Sequence, residues 1–438
     1  MYVTALLPWL VAAGLLPLVP LTALGADPWI VLAAWLAFCA AAVAMDALLA
    51  PDPRALAIDR ALPARARLGE PAELRLRVVN RGARRIRATI RDAWQPTAGA
   101  QPARVRLSIP PRESRTARIA LLPRRRGELR TEFVAARAAG PLGLAGRQRV
   151  LEAPAAVRVL PPFRARRHLP SRIARLRELD GSTSVQVRGQ GTEFDSLREY
   201  VRGDDVRSID WRATARAGTT MLRTWRPERD RHVVILIDTG RTAATRVGDG
   251  TRLDAAFEAA MLLAALASRA GDHVHLVAFD RALRARVTGV DGSALMPAIA
   301  DALAPVDAQL IDTDWDAAFA QARALAPHPS LLVLLTAQES PEAARGFLGA
   351  LAHTAASRRA GAVLVGTATD ADLERIARGG GSSDELYRAA AAEAALRTAE
   401  RVARAVSRAG AESLAASPDD LPPRIADRYL ALKAAGRL

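Results

Sequence analysis

Lysine is almost missing from this 438-residue chain. The one copy is Lys433, and the excess that gives a formal charge of +16 is arginine, spread from Arg54 to Arg437. A charge of that size ordinarily points to nucleic acid or an anionic surface. Aromatic residues, however, make up only 4% of the chain, and no basic patch with interleaved aromatic side chains stands out, so nucleic acid is not an expected partner. The arginine, beside abundant alanine, reads as the composition of a GC-rich bacterial genome. Cysteine is scarce too: Cys39 stands alone in an apolar run, which excludes disulfides and thiolate metal sites within one chain. A Walker loop, HExxH and CxxC are all absent. No Ser–His–Asp grouping is readable, and His232, His273 and His275 fall on or beside strands as packing residues.

Basic residues are also absent from the first fifty positions, which hold two apolar runs, Tyr2–Leu24 and Trp29–Ala50. Each is long enough to cross about 30 Å of hydrocarbon. A cleaved signal peptide would need a basic start and a shorter apolar centre. This chain starts MYVT and carries a second run, so a two-span membrane hairpin is expected. Pro8, Pro17 and Pro20 should kink or break the first helix. Asp46, near the end of the second run, need not sit in hydrocarbon. Arg54, Arg60, Arg65 and Arg67 follow immediately, while the turn Gly25–Pro28 has no basic residue. That bias places both chain ends on the cytoplasmic side of a bacterial cell membrane.

From residue 51 the period changes to two. Leu74, Leu76 and Val78 alternate with Glu73, Arg75 and Arg77, as in a half-buried strand. Similar runs at 86–90, 104–109, 115–122, 129–136 and 156–160 imply an Ig-like β-sandwich over 51–162. A connector follows over 163–187, with a basic helix at Ser171–Leu179 that Ser171 would cap. Beyond it, apolar strands at 232–237, 274–279, 331–335 and 362–367 alternate with amphipathic helices at 252–269, 293–303, 315–326 and 341–357. Such alternation predicts a doubly wound α/β domain with a parallel sheet, spanning 188–382. C-terminal helices occupy 383–438: one over 383–410, capped at Ser382 or Ser383, and one over 422–435 packed through Ile425, Tyr429 and Leu432.

Two features of the α/β domain bear on function. Asp238 leaves the first buried strand at its carboxyl end, where open α/β sheets place their ligands. Ahead of it, Glu193, Arg198, Asp204, Asp205, Arg207, Asp210 and Arg216 form a nearly balanced run of opposite charges around Trp211. The run reads either as an Arg–carboxylate lattice that fixes a segment or holds a partner, or as an acidic metal cluster. Gly189 and Gly191 lack the preceding strand and third glycine of a dinucleotide loop.

The segment GTEFDSLREYVRGDDVRSIDWRATARAGTTMLRTWRPERDRHVVILIDTG resembles the defining stretch of the bacterial family known as domain of unknown function 58. The apolar hairpin, RRRGELR, GPLGLAGR and the tail DLPPRIADRYLALKAAGRL are similar to that family as well. The resemblance implies a von Willebrand factor type A-like domain, often encoded beside a MoxR-type AAA+ ATPase, with no settled activity. It further implies a divalent-cation site of the DxSxS type. Asp238 matches the first position of that site, Gly240 replaces the first serine, Thr242 takes the second, and Thr313 could supply the loop threonine. Ala337 stands where an Asp would follow the fourth strand. The implied Mg²⁺ site is thereby reduced to Asp238, Thr242 and Thr313, short of the oxygen ligands the ion prefers.

The expectation is a membrane-anchored, non-enzymatic adaptor that holds a protein partner, a MoxR-type AAA+ ATPase, at the top of its sheet, with no cofactor. The competing expectation is a metal-dependent hydrolase using Asp204, Asp205, Asp210 and Asp238.

Overall fold

The computed structural model describes residues 1–183, 193–201, 206–226, 231–357, 361–379 and 381–438. Two compact units divide it, Met1–Pro162 and Phe163–Leu438.

In the first unit, β1 (Tyr2–Val3) precedes three apolar helices, α1 (Leu6–Ala12), α2 (Leu15–Ala23) and α3 (Pro28–Leu49). Residues Leu6–Ala23 and the helical stretch from Pro28 are each long and apolar enough to cross a membrane. The break in the first run lies at Ala13–Gly14, not at a proline itself. Pro17 has no N–H to give to Ala13, four residues back, so the helix cannot run through. Gly14 bonds instead to the Val11 carbonyl at 3.0 Å. The neighbouring Leu10 carbonyl takes the indole N–H of Trp35 at 3.2 Å. A Cβ on Gly14 would lie 2.3 Å from that ring, so only glycine admits it.

The remainder of this unit is β2 (Leu56–Ala61), β3 (Arg65–Arg67), β4 (Ala72–Asn80), β5 (Ile86–Asp92), β6 (Val105–Ile109), β7 (Ser114–Leu121), β8 (Gly127–Ala139) and β9 (Ala145–Leu160). One sheet runs β1-β9-β8-β5-β6 with β3 beside β9, and the other runs β2-β4-β7. Alternation decides the packing: Leu74, Leu76, Val78, Ile119 and Leu121 of the smaller sheet share one core with Ile86, Ile90, Val134, Val157 and Val159 of the larger. The expected sandwich is present. A deeply buried ion pair, Arg60 with Asp92 at 2.7 Å, is completed by the Trp94 indole N–H on the same carboxylate.

The second unit begins with α4 (Leu169–Thr183), which starts two residues before the expected cap; Ser171 donates to the His168 carbonyl instead. Next come β10 (Glu193–Glu199), α5 (Trp211–Ala217) and β11 (Met221–Arg226), with β10 and β11 forming their own antiparallel pair. The main sheet contains β12 (His232–Asp238), β15 (His273–Phe279), β16 (Leu283–Val287), β17 (Leu331–Leu335), β18 (Ala362–Ala368) and β19 (Glu412–Ala416), with a small hairpin of β13 (Arg246–Val247) and β14 (Gly250–Thr251) between β12 and β15. Its order is β16-β15-β12-β17-β18-β19. The sheet is mixed, which corrects the expectation of a parallel one: β16 pairs antiparallel with β15. That edge strand, LRARV, buries only two residues, so it lacks the apolar run that marks the others. The tail also adds β19, parallel to β18.

Helices cover both faces. Val233, Ile235 and Ile237 pack with α6 (Arg252–Arg269), α7 (Leu295–Leu303) and α12 (Leu421–Ala434). Val234 and Leu236, which point the other way, pack with α8 (Trp315–Leu325), α9 (Arg345–Ala356) and α11 (Ser383–Arg408). A short α10 (Leu373–Ala377) precedes α11. Ser382 and Glu385 cap α11 reciprocally, as the sequence suggested. Helix α6 is buried along nearly its whole length because its many alanines let sheet and helices approach from all sides. Its Glu258 accepts the N–H groups of Arg164 (2.9 Å) and Ala165 (2.8 Å), which fastens the connector to this unit.

Candidate functional site at the carboxyl edge of the sheet

The chain goes from β12 outward to β15 and then returns to β17 on the other side of β12, so the carboxyl ends of these strands flank a crossover point. Ligands of open α/β sheets gather at such points. Three neighbouring strands deliver their next polar residues there: Asp280 after β15, Asp238 at the end of β12 and Thr336 after β17.

Asp238 is buried, and both carboxylate oxygens are occupied from within the protein. Oδ1 accepts from the Thr313 hydroxyl (2.5 Å) and the Gly240 N–H (2.8 Å). Oδ2 accepts from the hydroxyls of Thr336 (2.6 Å) and Thr242 (3.4 Å). Burial pushes this carboxyl above its ordinary range, against the pull of these hydrogen bonds. Thr336 in turn accepts from the Gln338 side chain at 3.0 Å, which links the buried carboxylate to the surface.

The three residues expected at a cation site, Asp238, Thr242 and Thr313, are therefore together, with Thr336 as a fourth member. Thr336, unexpected in this group, is the first residue after a fully buried strand, the one signal for it in the sequence. As a donor set for Mg²⁺ the group fits poorly. It offers one carboxylate, whose acceptor positions are filled, where the ion prefers an open octahedron of oxygens. Among the described residues, no three His, Cys, Asp or Glu side chains are grouped so as to hold a metal ion. Gly240 shows why the first serine is gone: a Cβ there would lie 2.4 Å from Thr313 Oγ1 and 2.9 Å from the Ile311 carbonyl. Replacing Gly240 by serine is accordingly expected to destabilise the unit by about 1–3 kcal/mol, the usual range for overpacking. Thermal unfolding checks this, and an unchanged transition would contradict it.

Above Asp238 opens a cleft of about 380 Å³, lined by Arg241, Thr242, Asp312, Thr313, Trp315, Glu339 and Phe347 among others. Arg241 spans it, donating from Nε to Asp312 (2.6 Å) and from both terminal nitrogens to Glu339 (2.5 and 2.9 Å). These carboxylates hold the guanidinium above its ordinary range. The pair fixes the loop before α8 to the loop after β17, and Trp315 meets Phe347 edge-on at 4.7 Å as the aromatic wall. Deeper in the same edge, Asp280 accepts from the Thr239 hydroxyl (2.8 Å) and from Nε and one terminal nitrogen of Arg284 (2.7 and 3.0 Å). Burial raises its carboxyl, yet these bonds and two backbone N–H groups leave it below the ordinary value. Among the described residues, no histidine lines the cleft. His232 and His275 contact each other at 2.9 Å on strands β12 and β15, at the end opposite Asp238.

The charged run is only partly described. Asp204 and Asp205 lie outside the described residues, as do the side chains of Glu193, Arg198 and Arg207. Asp210 caps α5, accepting from the N–H groups of Arg212 and Ala213, and pairs with Arg223 at 2.7 Å. The Ala213 N–H and the Arg223 guanidinium keep its carboxyl below the usual range. Trp211 and Arg216 are exposed. Asp210 and Asp238, the two described members of the competing hydrolase set, are each committed to partners of their own.

The family model described as a protein of unknown function, DUF58, matches residues 196–397. This segment is similar to the DUF58 family. The DUF58 stretch begins in β10, takes in Asp238, Thr313 and Thr336, and ends in α11. No curated protein matches the sequence. Solved structures similar to parts of it include a CARDB domain from Pyrococcus furiosus, 18% identical at a TM-score of 0.18, covering 24% of this chain and 87% of that one. A FixG-related protein from Vibrio parahaemolyticus is 9% identical at 0.18, over 25% of this chain and 98% of its own. A GH20 exo-β-N-acetylglucosaminidase from Vibrio harveyi is 10% identical at 0.21, over 82% and 75%. At TM-scores this low, none of them bears on the fold or activity of this protein.

Proposed function

We propose that this protein is a membrane-anchored, non-enzymatic adaptor that docks a protein partner in the cleft above Asp238, without a metal ion. The observation that carries the reading is the contrast between the two levels of the site. Below, a buried carboxylate is saturated by hydroxyls and an N–H; above, an open cleft with an aromatic wall and a charged rim is held in shape by Arg241. A buried carboxyl whose acceptor positions are taken is closed to a substrate as a nucleophile and to a metal as a ligand, but it is a good strut for the loops that form a docking surface. The two apolar helical stretches support the anchor in this reading, and the arginines after them support a cytoplasmic side for the soluble units. The partner class is a MoxR-type AAA+ ATPase, taken from the resemblance to the family.

A photo-crosslinking residue at Ala343, which is exposed and lines the cleft, tests this in intact cells. It should trap an AAA+ ATPase, identified by mass spectrometry, while the same residue at exposed His328, ahead of β17 at the other end of the sheet, should not. Equal trapping from both positions, or from neither, would contradict docking at the cleft.

A further inference from the structure

The turn that joins β8 to β9, together with the first residue of β9, reads Gly140, Pro141, Leu142, Gly143, Leu144, Ala145 and carries no polar side chain. A surface turn normally leaves several backbone groups to water. Here every N–H is satisfied inside the protein. Leu142 donates to Asp46 Oδ1 at 2.7 Å, and Leu144 and Ala145 donate to Oδ2 at 2.7 and 2.8 Å. Gly140 donates to the Ala145 carbonyl and Gly143 to that of Gly140; Pro141 has no N–H. The carbonyls of Gly143 and Leu144 accept from the hydroxyl and the N–H of Thr4 at 2.6 and 2.9 Å.

Both clamping residues flank the apolar helices. Thr4 lies two residues before α1, and Asp46 lies in the last turn of α3 with its carboxylate fully buried. A Cβ on Gly140 would fall 2.2 Å from Asp46 Oδ1, so the carboxylate occupies the space that a side chain would need. Arg147 then donates to the Ala47 and Leu48 carbonyls at 3.3 and 3.2 Å, at the end of the same helix. The turn thus sits at the level where the apolar helices start and finish. It presents Leu142, 59% exposed, and the side chain of Leu6, 53% exposed, lies 3.7 Å from where a Cβ on Gly143 would be.

We propose that this turn is a lipid-contacting wedge, inserted into the acyl-chain boundary of the bilayer with Leu142 at its tip. An unmet N–H is costly against acyl chains. Here Asp46 and the turn's own carbonyls meet every N–H of the turn, while Thr4 occupies the carbonyls of Gly143 and Leu144, which suits the turn to the boundary of the acyl chains and not to the bilayer centre. The β-sandwich is then seated rigidly on the membrane surface instead of hanging from a flexible tether. The inference rests on the reading of the two apolar stretches as membrane spans.

Electron paramagnetic resonance on the full chain, reconstituted in phosphatidylethanolamine–phosphatidylglycerol vesicles, tests it. Cys39→Ser removes the sole cysteine, and a nitroxide is placed at Leu142→Cys, at Leu36→Cys within α3, or at Leu122→Cys at the far end of β8 from the turn. Power saturation then compares access of oxygen with that of a water-soluble nickel chelate. Position 142 should resemble position 36, favouring oxygen severalfold, while position 122 favours nickel. Adding Asp46→Ala should shift position 142 toward nickel and leave position 36 unchanged. Nickel access at 142 equal to that at 122, with 36 still lipid-facing, would overturn the wedge alone. Access to neither reagent at 142 would mean the turn is covered by protein and would also overturn it. Nickel access at 36 as well would sink the membrane reading beneath it.

Discussion

Replacing Asp272 by alanine is expected to lower the stability of the Phe163–Leu438 unit by about 3–5 kcal/mol, the usual cost of taking one partner from a buried ion pair. Asp272 opens the path into β15 and is almost completely buried. Lys433, the one lysine in the chain, donates to Asp272 Oδ1 at 3.2 Å and to the Ala270 carbonyl at 3.3 Å from the last turn of α12. The Tyr429 hydroxyl donates to the other carboxylate oxygen, and Arg231 lies 3.9 Å away. Helix α12 is therefore tied to the sheet by polar contacts as well as by Ile425, Tyr429 and Leu432, all buried as the sequence suggested. Removing the carboxylate strands a buried ammonium beside a buried phenol. Lys433→Met should cost less, since Asp272 keeps the tyrosine and the nearby arginine. Denaturant unfolding followed by tryptophan fluorescence measures both; a loss below about 1 kcal/mol for Asp272→Ala would show that the clasp is not structural.

The second large effect is expected at Asp238. Alanine there removes the acceptor for three hydroxyls and one N–H at once. The hydroxyls can rotate toward other acceptors, whereas the Gly240 N–H is fixed, so a loss of about 2–4 kcal/mol is expected, less than four full unmade bonds. Asparagine keeps one acceptor oxygen and should cost about half as much. The two substitutions also differ from the parent in pH dependence. Because burial raises this carboxyl in the folded state, the folded protein holds the proton more tightly than the unfolded chain does. The contribution of this group is therefore complete below the unfolded value of about 4 and is lost as pH rises through the raised folded value. Asp238→Asn should flatten that part of the stability profile from about pH 4 upward; an unchanged slope would mean that the carboxylate stays ionised throughout.

Local pattern accounts for what was readable in the sequence. Uninterrupted apolar strands gave away β12, β15, β17 and β18, and an Asp at the end of the first marked the site, because a sheet covered on both faces leaves only strand ends for polar chemistry. The weak strands escaped for the same reason: β16 alternates arginine with small apolar residues, and the ESLAA of β19 is short and bounded by helices. Long-range polar contacts left no pattern at all. The partners of Asp46 lie 96 to 99 residues away, and nothing at positions 140–145 except the lack of polar side chains hints at them. Arg241, which shapes the cleft by reaching Asp312 and Glu339, looked like one more arginine in an arginine-rich chain.

Whether the cleft works without a cation is the point on which the functional reading stands. The yield of the Ala343 crosslink to an AAA+ ATPase, measured in membranes with and without a chelator, addresses it most directly. An undiminished yield under chelation, falling sharply when Arg241 is replaced by alanine, is the predicted result. A yield that vanishes with the chelator and returns with added Mg²⁺ would contradict the account.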